Sequence, residues 1–87
     1  MLHYVIPSGK KLNISKVGIK GETSEAELRV NSRIRFLLKY AKGDGDDMIF
    51  SESSPLTFHS GSIIQLYRTL GSGVLYGYLL GWLEDDD

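Results

Sequence analysis

Residues 26–41, AELRVNSRIRFLLKYA, constrain the fold more than any other segment of the chain. Apolar and polar side chains alternate along it with a period of two, and only Ser32 and Leu37 interrupt the alternation. This pattern is typical of a β-strand with one face on a core and the other in solvent. The segment is therefore predicted to be a strand, either continuous or broken at Asn31-Ser32.

A helix is the alternative over residues 24–41. Ser24 and Glu27 have the spacing of a helix capping box, and apolar residues recur at helical intervals behind them. That helix would leave Leu28 and Phe36 away from the apolar stripe and would place charged residues on or beside it. The strand is favoured, and the choice stays open at the level of the sequence.

Turn signals divide the rest of the chain into short apolar runs. LHYVI and LNISKVGIK read as two strands separated by the turn PSGKK, and GETS, residues 21–24, marks the next turn. In the second strand the apolar phase moves from Leu12 and Ile14 to Val17 and Ile19. This change predicts a β-bulge near Ser15-Lys16.

The acidic stretch KGDGDD, residues 42–47, is predicted to be the tip of a hairpin over residues 33–53 that returns through MIFSES. Glycine and aspartate tolerate the backbone angles of tight turns. Asp44, Asp46 and Asp47 lack the spacing and the distal glutamate of a calcium loop. A solvated turn is therefore expected here, without a metal.

SIIQLYRTL, GSG and VLYGYLLGWLE are predicted to form a closing hairpin, with Leu70 opposite Val74. This register places Tyr67 opposite Gly77, and it places Arg68 opposite Tyr76. The glycine spacing also mimics a packed membrane helix, but the uninterrupted apolar run is only about ten residues and a span needs about 20. The acidic tail, residues 84–87, is predicted to be flexible.

Length and composition complete the prediction of the fold. The 87 residues, with no cysteine, predict one domain over residues 1–87 that depends on its core or on self-association for stability. The start of the chain has no secretory signal, so a cytoplasmic protein is expected. The predicted fold class is all-β: a small antiparallel barrel or sandwich of six to seven strands.

The C-terminal half resembles the middle of an SH3 domain, over residues 55–81. The matching positions are Leu56, Thr57, Phe58, Gly61, Ser62, Ile63, Ile64, Leu66, Gly77 and Leu79. The resemblance implies SH3-like character in this half, with two added N-terminal strands. Val74 and Leu75 stand where the family has the tryptophan pair of its proline-peptide groove, so the resemblance does not carry that ligand over.

Signals of catalysis are weak. The chain has two histidines, His3 and His59, and many serines, but it has no nucleophile elbow, phosphate loop or metal-spaced cluster. A non-enzyme without cofactor or metal is predicted.

Charge is divided unequally along the chain. Residues 1–42 hold nine basic residues against three acids, a balance of +6, whereas residues 43–87 hold one basic residue against eight acids, a balance of −7. One interpretation is that the halves, or two copies, neutralise each other. Another is a nucleic-acid surface. Its residues would project about 7 Å apart from one face of one strand: Arg29, Arg33, Arg35 and Lys39.

Three functions from different classes remain open. The favoured one is a non-catalytic protein–protein interaction or assembly module, because aromatic residues are enriched at interfaces. Its predicted binding residues are Tyr67, Tyr76, Tyr78 and Trp82. The alternatives are a nucleic-acid-binding β-protein and a small viral or accessory structural subunit that forms a stable oligomer. The expected partner is another protein or a second copy, with nucleic acid as the alternative and no membrane.

Overall fold

The computed structural model describes residues 2–21, 24–40, 45–71 and 73–86, and these form an all-β fold. The described residues contain eight strands, so the predicted class is confirmed and the predicted count of six to seven is too low. The strands are β1 (Leu2–Val5), β2 (Lys10–Gly21), β3 (Ser24–Val30), β4 (Arg33–Tyr40), β5 (Asp46–Ile49), β6 (Leu56–Phe58), β7 (Ile63–Gly71) and β8 (Leu75–Asp85).

The strands form two antiparallel sheets that pack face to face as a sandwich. Sheet A has the order β1-β7-β3-β4. In sheet B, β2 is the central strand: β6 and β5 pair one after the other along one of its edges, and β8 pairs along the other edge. β2 therefore organises one sheet, while β3 and β7 are the inner strands of the other.

The apolar phase change in β2 produces the predicted bulge. The pairing of β2 with β8 shifts register between Ile14 and Lys16, which leaves Ser15 as the extra residue. An extra residue restores the inward direction of the following apolar side chains. Leu12, Ile14, Val17 and Ile19 are therefore all buried on the inner face.

Residues 24–40 form two strands of a hairpin, so the strand interpretation is confirmed and the helix is excluded. β3 and β4 are joined at Asn31 and Ser32, which have φ angles of 51° and 67°. A two-residue turn with both φ angles positive matches the twist of the strands it joins. Asn31 also exchanges hydrogen bonds with Ile63: its N–H donates to the Ile63 carbonyl, and its Oδ1 accepts from the Ile63 N–H.

The core lies between the inner faces of the two sheets. Its buried members are Ile6, Leu12, Ile14, Val17, Ile19, Ala26, Leu28, Val30, Leu38, Phe58, Ile64 and Leu66. Burying one of the valine, leucine, isoleucine or phenylalanine side chains of this set stabilises the fold by about 1.5–3 kcal/mol relative to leaving it in water. β2, β3, β4 and β7 supply most of this set, whereas β8 supplies none of it.

The predicted closing hairpin is wrong. β7 pairs with β1 and β3 in sheet A, while β8 pairs with β2 in sheet B. The glycine-rich connection crosses from one sheet to the other. β8 approaches β2 so closely that a Cβ on Gly81 would collide with the backbone oxygen of Asn13. Only glycine permits this approach.

Two contacts that depended on the hairpin are also corrected. Tyr67 does not lie opposite Gly77: it pairs with Glu27 of β3, while Gly77 pairs with Ile19 of β2. Arg68 does not lie opposite Tyr76: it pairs with Ala26, and its guanidinium donates to the Gly73 carbonyl and to Ser24 Oγ.

The predicted hairpin over residues 33–53 is wrong as well. β4 belongs to sheet A and β5 to sheet B, so this segment passes from one sheet to the other. Residues 41–44 of the predicted tip lie outside the described residues. Asp46 and Asp47 lie in β5, where Asp47 pairs with Lys16 at 3.4 Å and Asp46 accepts from the Lys39 N–H at 2.6 Å.

The first turn lies where the sequence places it, because the Lys10 N–H donates to the Pro7 carbonyl. β1 then pairs with β7 rather than with β2. Residues 22–23 of the turn GETS lie outside the described residues.

Three of the four tail residues predicted to be flexible make defined contacts. Glu84 and Asp85 continue β8, and the Asp86 N–H donates to the Gly9 carbonyl. Asp87 lies outside the described residues.

Candidate interaction surface

The predicted protein-binding residues divide between the outer faces of the two sheets. Tyr67 pairs with Glu27 on the outer face of sheet A. Tyr76, Tyr78 and Trp82 lie on the outer face of sheet B, opposite Lys20, Gly18 and Asn13 of β2. The sequence assigned all four to one hairpin, and the structure brings together only the three on β8.

Tyr76, Tyr78, Leu80 and Trp82 form a continuous row on the outer face of β8, here called the β8 row. Side chains two apart on a strand point to the same face, which places these four in line. Tyr76 is 66% exposed and Leu80 is 55% exposed, while Tyr78 and Trp82 are half-buried. Leu80 was not among the predicted site residues, although the alternation places it on this face.

Local contacts hold the two half-buried rings of the β8 row. The Tyr78 ring lies against Gly18, where a Cβ would come within 2.5 Å of it, and Lys16 Nζ is 5.8 Å from the ring centroid. Trp82 Nε1 donates to Glu84 at 2.7 Å. These contacts hold the two rings in a defined orientation on the outer face of sheet B.

Ile49 extends this apolar surface across β2. It is 72% exposed and lies opposite Lys16, whose other cross-strand neighbour is Leu80. Lysine stems cover apolar surface while the ammonium group stays in water. The outer face of sheet B thus carries apolar side chains on both sides of a lysine that is itself paired with Asp47.

Tyr67 has a different environment on sheet A. The guanidinium carbon of Arg29 lies 3.9 Å from the Tyr67 ring centroid, and Arg29 Nε donates to Glu27 at 2.7 Å. The cation–π contact with Tyr67 and the ion pair with Glu27 together hold the Arg29 side chain in place. Tyr67, which is 49% exposed, therefore lies in a polar surface cluster with Arg29 and Glu27.

The predicted basic face is also divided. Arg29 lies on β3, and the other three residues lie on β4. Phe36 pairs with Leu28 and Ile34 with Arg29, so Arg35 is the extra residue of a bulge. Arg29 and Lys39 pair with Glu27 and Glu25, at 2.7 and 3.6 Å. The prediction of four arginine and lysine side chains in one row is therefore wrong, because a bulge interrupts the row.

Arg33 and Arg35 line a pocket at the end of the sandwich, between β4 and β6. Its volume is about 670 Å³, and the Arg35 guanidinium carbon lies 5.5 Å from the Phe58 ring centroid. The complete lining is Val30, Asn31, Arg33, Ile34, Arg35, Thr57, Phe58, His59 and Ser62. Phe58 and His59 were missed as neighbours of the arginines because only the tertiary fold brings β6 to this point.

His59 is itself tied to the end of the chain. Its Nδ1 lies 3.0 Å from an Asp86 carboxylate oxygen, and the Ser60 N–H donates to the same carboxylate. The hydrogen bond with His59 and the bond from Ser60 hold the pKa of Asp86 below its usual value of 3.8. Asp86 thus holds His59, one of the residues that line the pocket.

Comparisons of the chain with family models, with curated proteins and with solved structures find no match. The resemblance to the SH3 domain stays a prediction. Within the described ranges, the structure contains no helix long and apolar enough to cross a membrane. The same residues include no group of three or more histidine, aspartate or glutamate side chains arranged to hold a metal ion.

Proposed function

We propose that this chain is a non-catalytic protein–protein interaction or assembly module that binds through the outer face of sheet B. The observation that supports it most is the β8 row, where two aromatic rings are held in place beside the exposed Tyr76 and Leu80. Interfaces are enriched in such aromatic anchors, and contiguous exposed apolar patches mark binding sites.

The charges around the β8 row favour a protein partner. Lys20 lies beside one end of the row, opposite Tyr76, and Glu84 lies beyond Trp82 at the other end, 3.9 Å from Lys11 Nζ. Charged residues at the rim of an apolar patch select and orient partners. A partner with an apolar centre and charges of both signs at its rim fits this surface.

Affinity capture with a matched pair of variants tests the proposal. The bait is the full chain, compared with Tyr76→Ser/Leu80→Ser on sheet B and with Leu37→Ser/Leu70→Ser on sheet A. Leu37 and Leu70 are similarly exposed, at 61% and 62%. We expect the partner to be retained by the wild type and by the sheet A variant, and to be lost with the sheet B variant.

Two results would reject the proposal. One is equal retention by both variants, which would show that the outer face of sheet B does not bind. The other is the absence of any specific partner, including a second copy of the chain, under native conditions.

Nucleic-acid binding is the second candidate, and the pocket at the end of the sandwich is the observation that favours it. Arg35 lies beside the Phe58 ring there and Arg33 lines the same pocket. Single-strand binders combine positive charge with stacking platforms. Binding to single-stranded DNA or RNA should then fall steeply with salt and be lost in Arg33→Glu/Arg35→Glu. No binding at low salt would remove this candidate.

The third candidate, a small structural subunit of a larger assembly, uses the same outer face as the first. It predicts a stable oligomer of this chain at micromolar concentration. The oligomeric state therefore bears on both the first and the third candidate function.

A further inference from the structure

The exposed edge of β8 differs from every other sheet edge in the described parts of the chain. One edge of β8 pairs with β2 from Leu75 to Asp85, and its other edge has no strand partner among the described residues. β1, β5 and β6 are also at edges, but they are only four, four and three residues long. β4, the remaining edge strand, has eight residues, and it carries a bulge at Arg35 and three charged side chains. β8 runs for 11 residues.

Natural proteins protect such edges with charges, proline, bulges or short strands, because an open row of N–H and C=O groups pairs readily with another strand. β8 has none of these devices before Glu84. Residues 75–83 carry no charge and no proline, and the only bulge in the β2–β8 ladder is in β2. An unprotected edge of this length indicates a surface that another strand covers.

We propose that a second copy of this chain covers the edge, through antiparallel pairing of β8 with β8 about a two-fold axis at Leu80. This inference rests on the proposed function and names its partner. It joins the two copies of sheet B into one continuous sheet and extends the β8 row across both chains. Such a contact is isologous, because the same strand contributes both halves.

Alternation along the strand limits the register. The outward-pointing side chains of β8 are at even-numbered positions. They stay on one face of a continuous sheet only when even-numbered residues of one copy pair with even-numbered residues of the other. With Leu80 on the axis, each Leu80 meets its copy, and Tyr78 lies opposite Trp82 of the second copy. Leucine, tyrosine and tryptophan side chains thus meet across the whole outer face, and aromatic cross-strand pairs stabilise sheets.

The inner row fits the same register. Leu79 then lies opposite Gly81 of the second copy, and Leu83 lies opposite Gly77. Each large side chain meets a residue without one. The inner side of β8 adjoins an apolar groove of about 320 Å³ between the two sheets, lined by Leu2, His3, Tyr4, Leu12, Leu79 and Gly81, and this groove gives the leucine side chains room to adjust.

Charge complementarity favours a second copy over an unrelated strand. The same pairing places Glu84 of one chain opposite Tyr76 of the other, next to the exposed Lys20 that pairs with Tyr76 on β2. At the C-terminal end of β8, Asp85 already pairs with Lys10, and Glu84 lies 3.9 Å from Lys11 Nζ. An antiparallel copy adds its Lys20 on the other side of Glu84, and by symmetry this happens once at each end of the shared sheet.

Single-cysteine crosslinking tests the axis, because the chain contains no cysteine of its own. In Leu80→Cys, the two thiols face each other across the axis at a spacing that a disulfide spans. With oxidised glutathione as the oxidant, we expect a covalent dimer to form at least about tenfold faster than in Leu70→Cys, since opposed thiols react as an intramolecular pair. Leu70 is the matched control, similarly exposed on sheet A.

Charge swapping provides an independent measurement. In Leu80→Lys, or in Leu80→Glu, like charges lie directly opposite each other, and we expect the dissociation constant to rise about 100-fold. An equal mixture of the two variants should restore the dimer, which light scattering after size-exclusion chromatography would detect. Circular dichroism of each variant monitors folding, which a half-exposed site should not disturb.

The outcomes separate this inference from the proposed function. A wild-type monomer at micromolar concentration, equal crosslinking of Leu80→Cys and Leu70→Cys, or a dimer that survives Leu80→Lys would each overturn it. A monomer that still binds another protein through the outer face of sheet B would overturn the pairing of copies and keep the proposed function. A monomer that binds nothing would remove both.

Discussion

β4 and β8 are the two long edge strands of the sandwich, and the described residues pair each of them with one neighbour only. β4 has a bulge at Arg35 and carries three charged side chains, Arg33, Arg35 and Lys39. β8 is unbroken and uncharged up to Glu84. Charges and bulges discourage edge-to-edge pairing, so the sandwich has one protected edge and one that is open to a partner strand.

The same two strands are also attached to the fold in different ways. β4 inserts Leu38 into the core, where it is fully buried. β8 has no fully buried side chain. It is attached through its ladder to β2, through Tyr78 over Gly18 and through the half-buried Leu75 and Leu79 against the edge of the core. Changes to side chains should therefore affect β4 most, whereas changes to backbone contacts should affect β8 most.

Leu38→Ala tests the attachment of β4 and is expected to have the largest effect. Removing a fully buried leucine side chain leaves a cavity, so we expect the free energy of unfolding to fall by about 2–5 kcal/mol. Urea denaturation measures it. Leu37→Ala is the matched control, next in sequence but on the outer face, and should stay within about 0.5 kcal/mol of the wild type. Equal losses would contradict a core attachment of β4.

Gly81→Ala tests the attachment of β8. The added methyl group would collide with the Asn13 backbone oxygen, so β8 and β2 must separate locally. We expect a loss of about 1–3 kcal/mol, the usual cost of overpacking. Amide hydrogen exchange should accelerate along β8 and stay slow along β3. Unchanged protection of β8 would show that the ladder tolerates the methyl group and that its attachment lies elsewhere.

Local patterns of the sequence were sufficient to predict that β2, β3 and β4 are strands. The alternation in residues 26–41 favoured strands over a helix, the dipeptide Asn31-Ser32 was the position proposed for a break, and the phase change at Ser15-Lys16 marked the bulge. Each of these features depends on neighbours in sequence, because alternation and turn angles are local properties.

The partners of the strands were not predictable in the same way. The loop at Gly71–Gly73 serves equally well as a hairpin turn or as a crossing between sheets, and the prediction chose the hairpin. The bulge at Arg35 leaves no phase change that would separate Arg33 from Lys39. The candidate site shows the same limit: the sequence placed Tyr76, Tyr78 and Trp82 on one face, but long-range pairing decided that this face lies at an open edge.

Ser32→Gly tests the turn that joins β4 to β3. Ser32 has a φ of 67°, a conformation that glycine adopts without the steric cost of a Cβ. Asn-Gly is a preferred two-residue turn, so we expect the hairpin of β3 and β4 to gain about 0.5–1 kcal/mol. Thermal unfolding measures the gain, and Ser32→Ala should show none. A destabilised Ser32→Gly variant would mean that the serine hydroxyl contributes more than the turn angle.

Asp86→Asn probes the end of β8 and is expected to have the smallest effect, because the His59 imidazole that it contacts is solvent-exposed. Hydrogen bonds from His59 and from the Ser60 N–H lower the pKa of Asp86 in the folded state. A group whose folded pKa is lowered stabilises the fold above its unfolded pKa, here 3.8, and this contribution disappears as the pH falls through the folded value. The melting temperature of Asp86→Asn should therefore lie below that of the wild type near neutral pH and converge with it as the pH falls below about 4. In a His59→Gln background the substitution should matter less, since the largest cause of the shift is gone. A difference that does not change with pH would show that the carboxylate charge has no part in holding the end of β8.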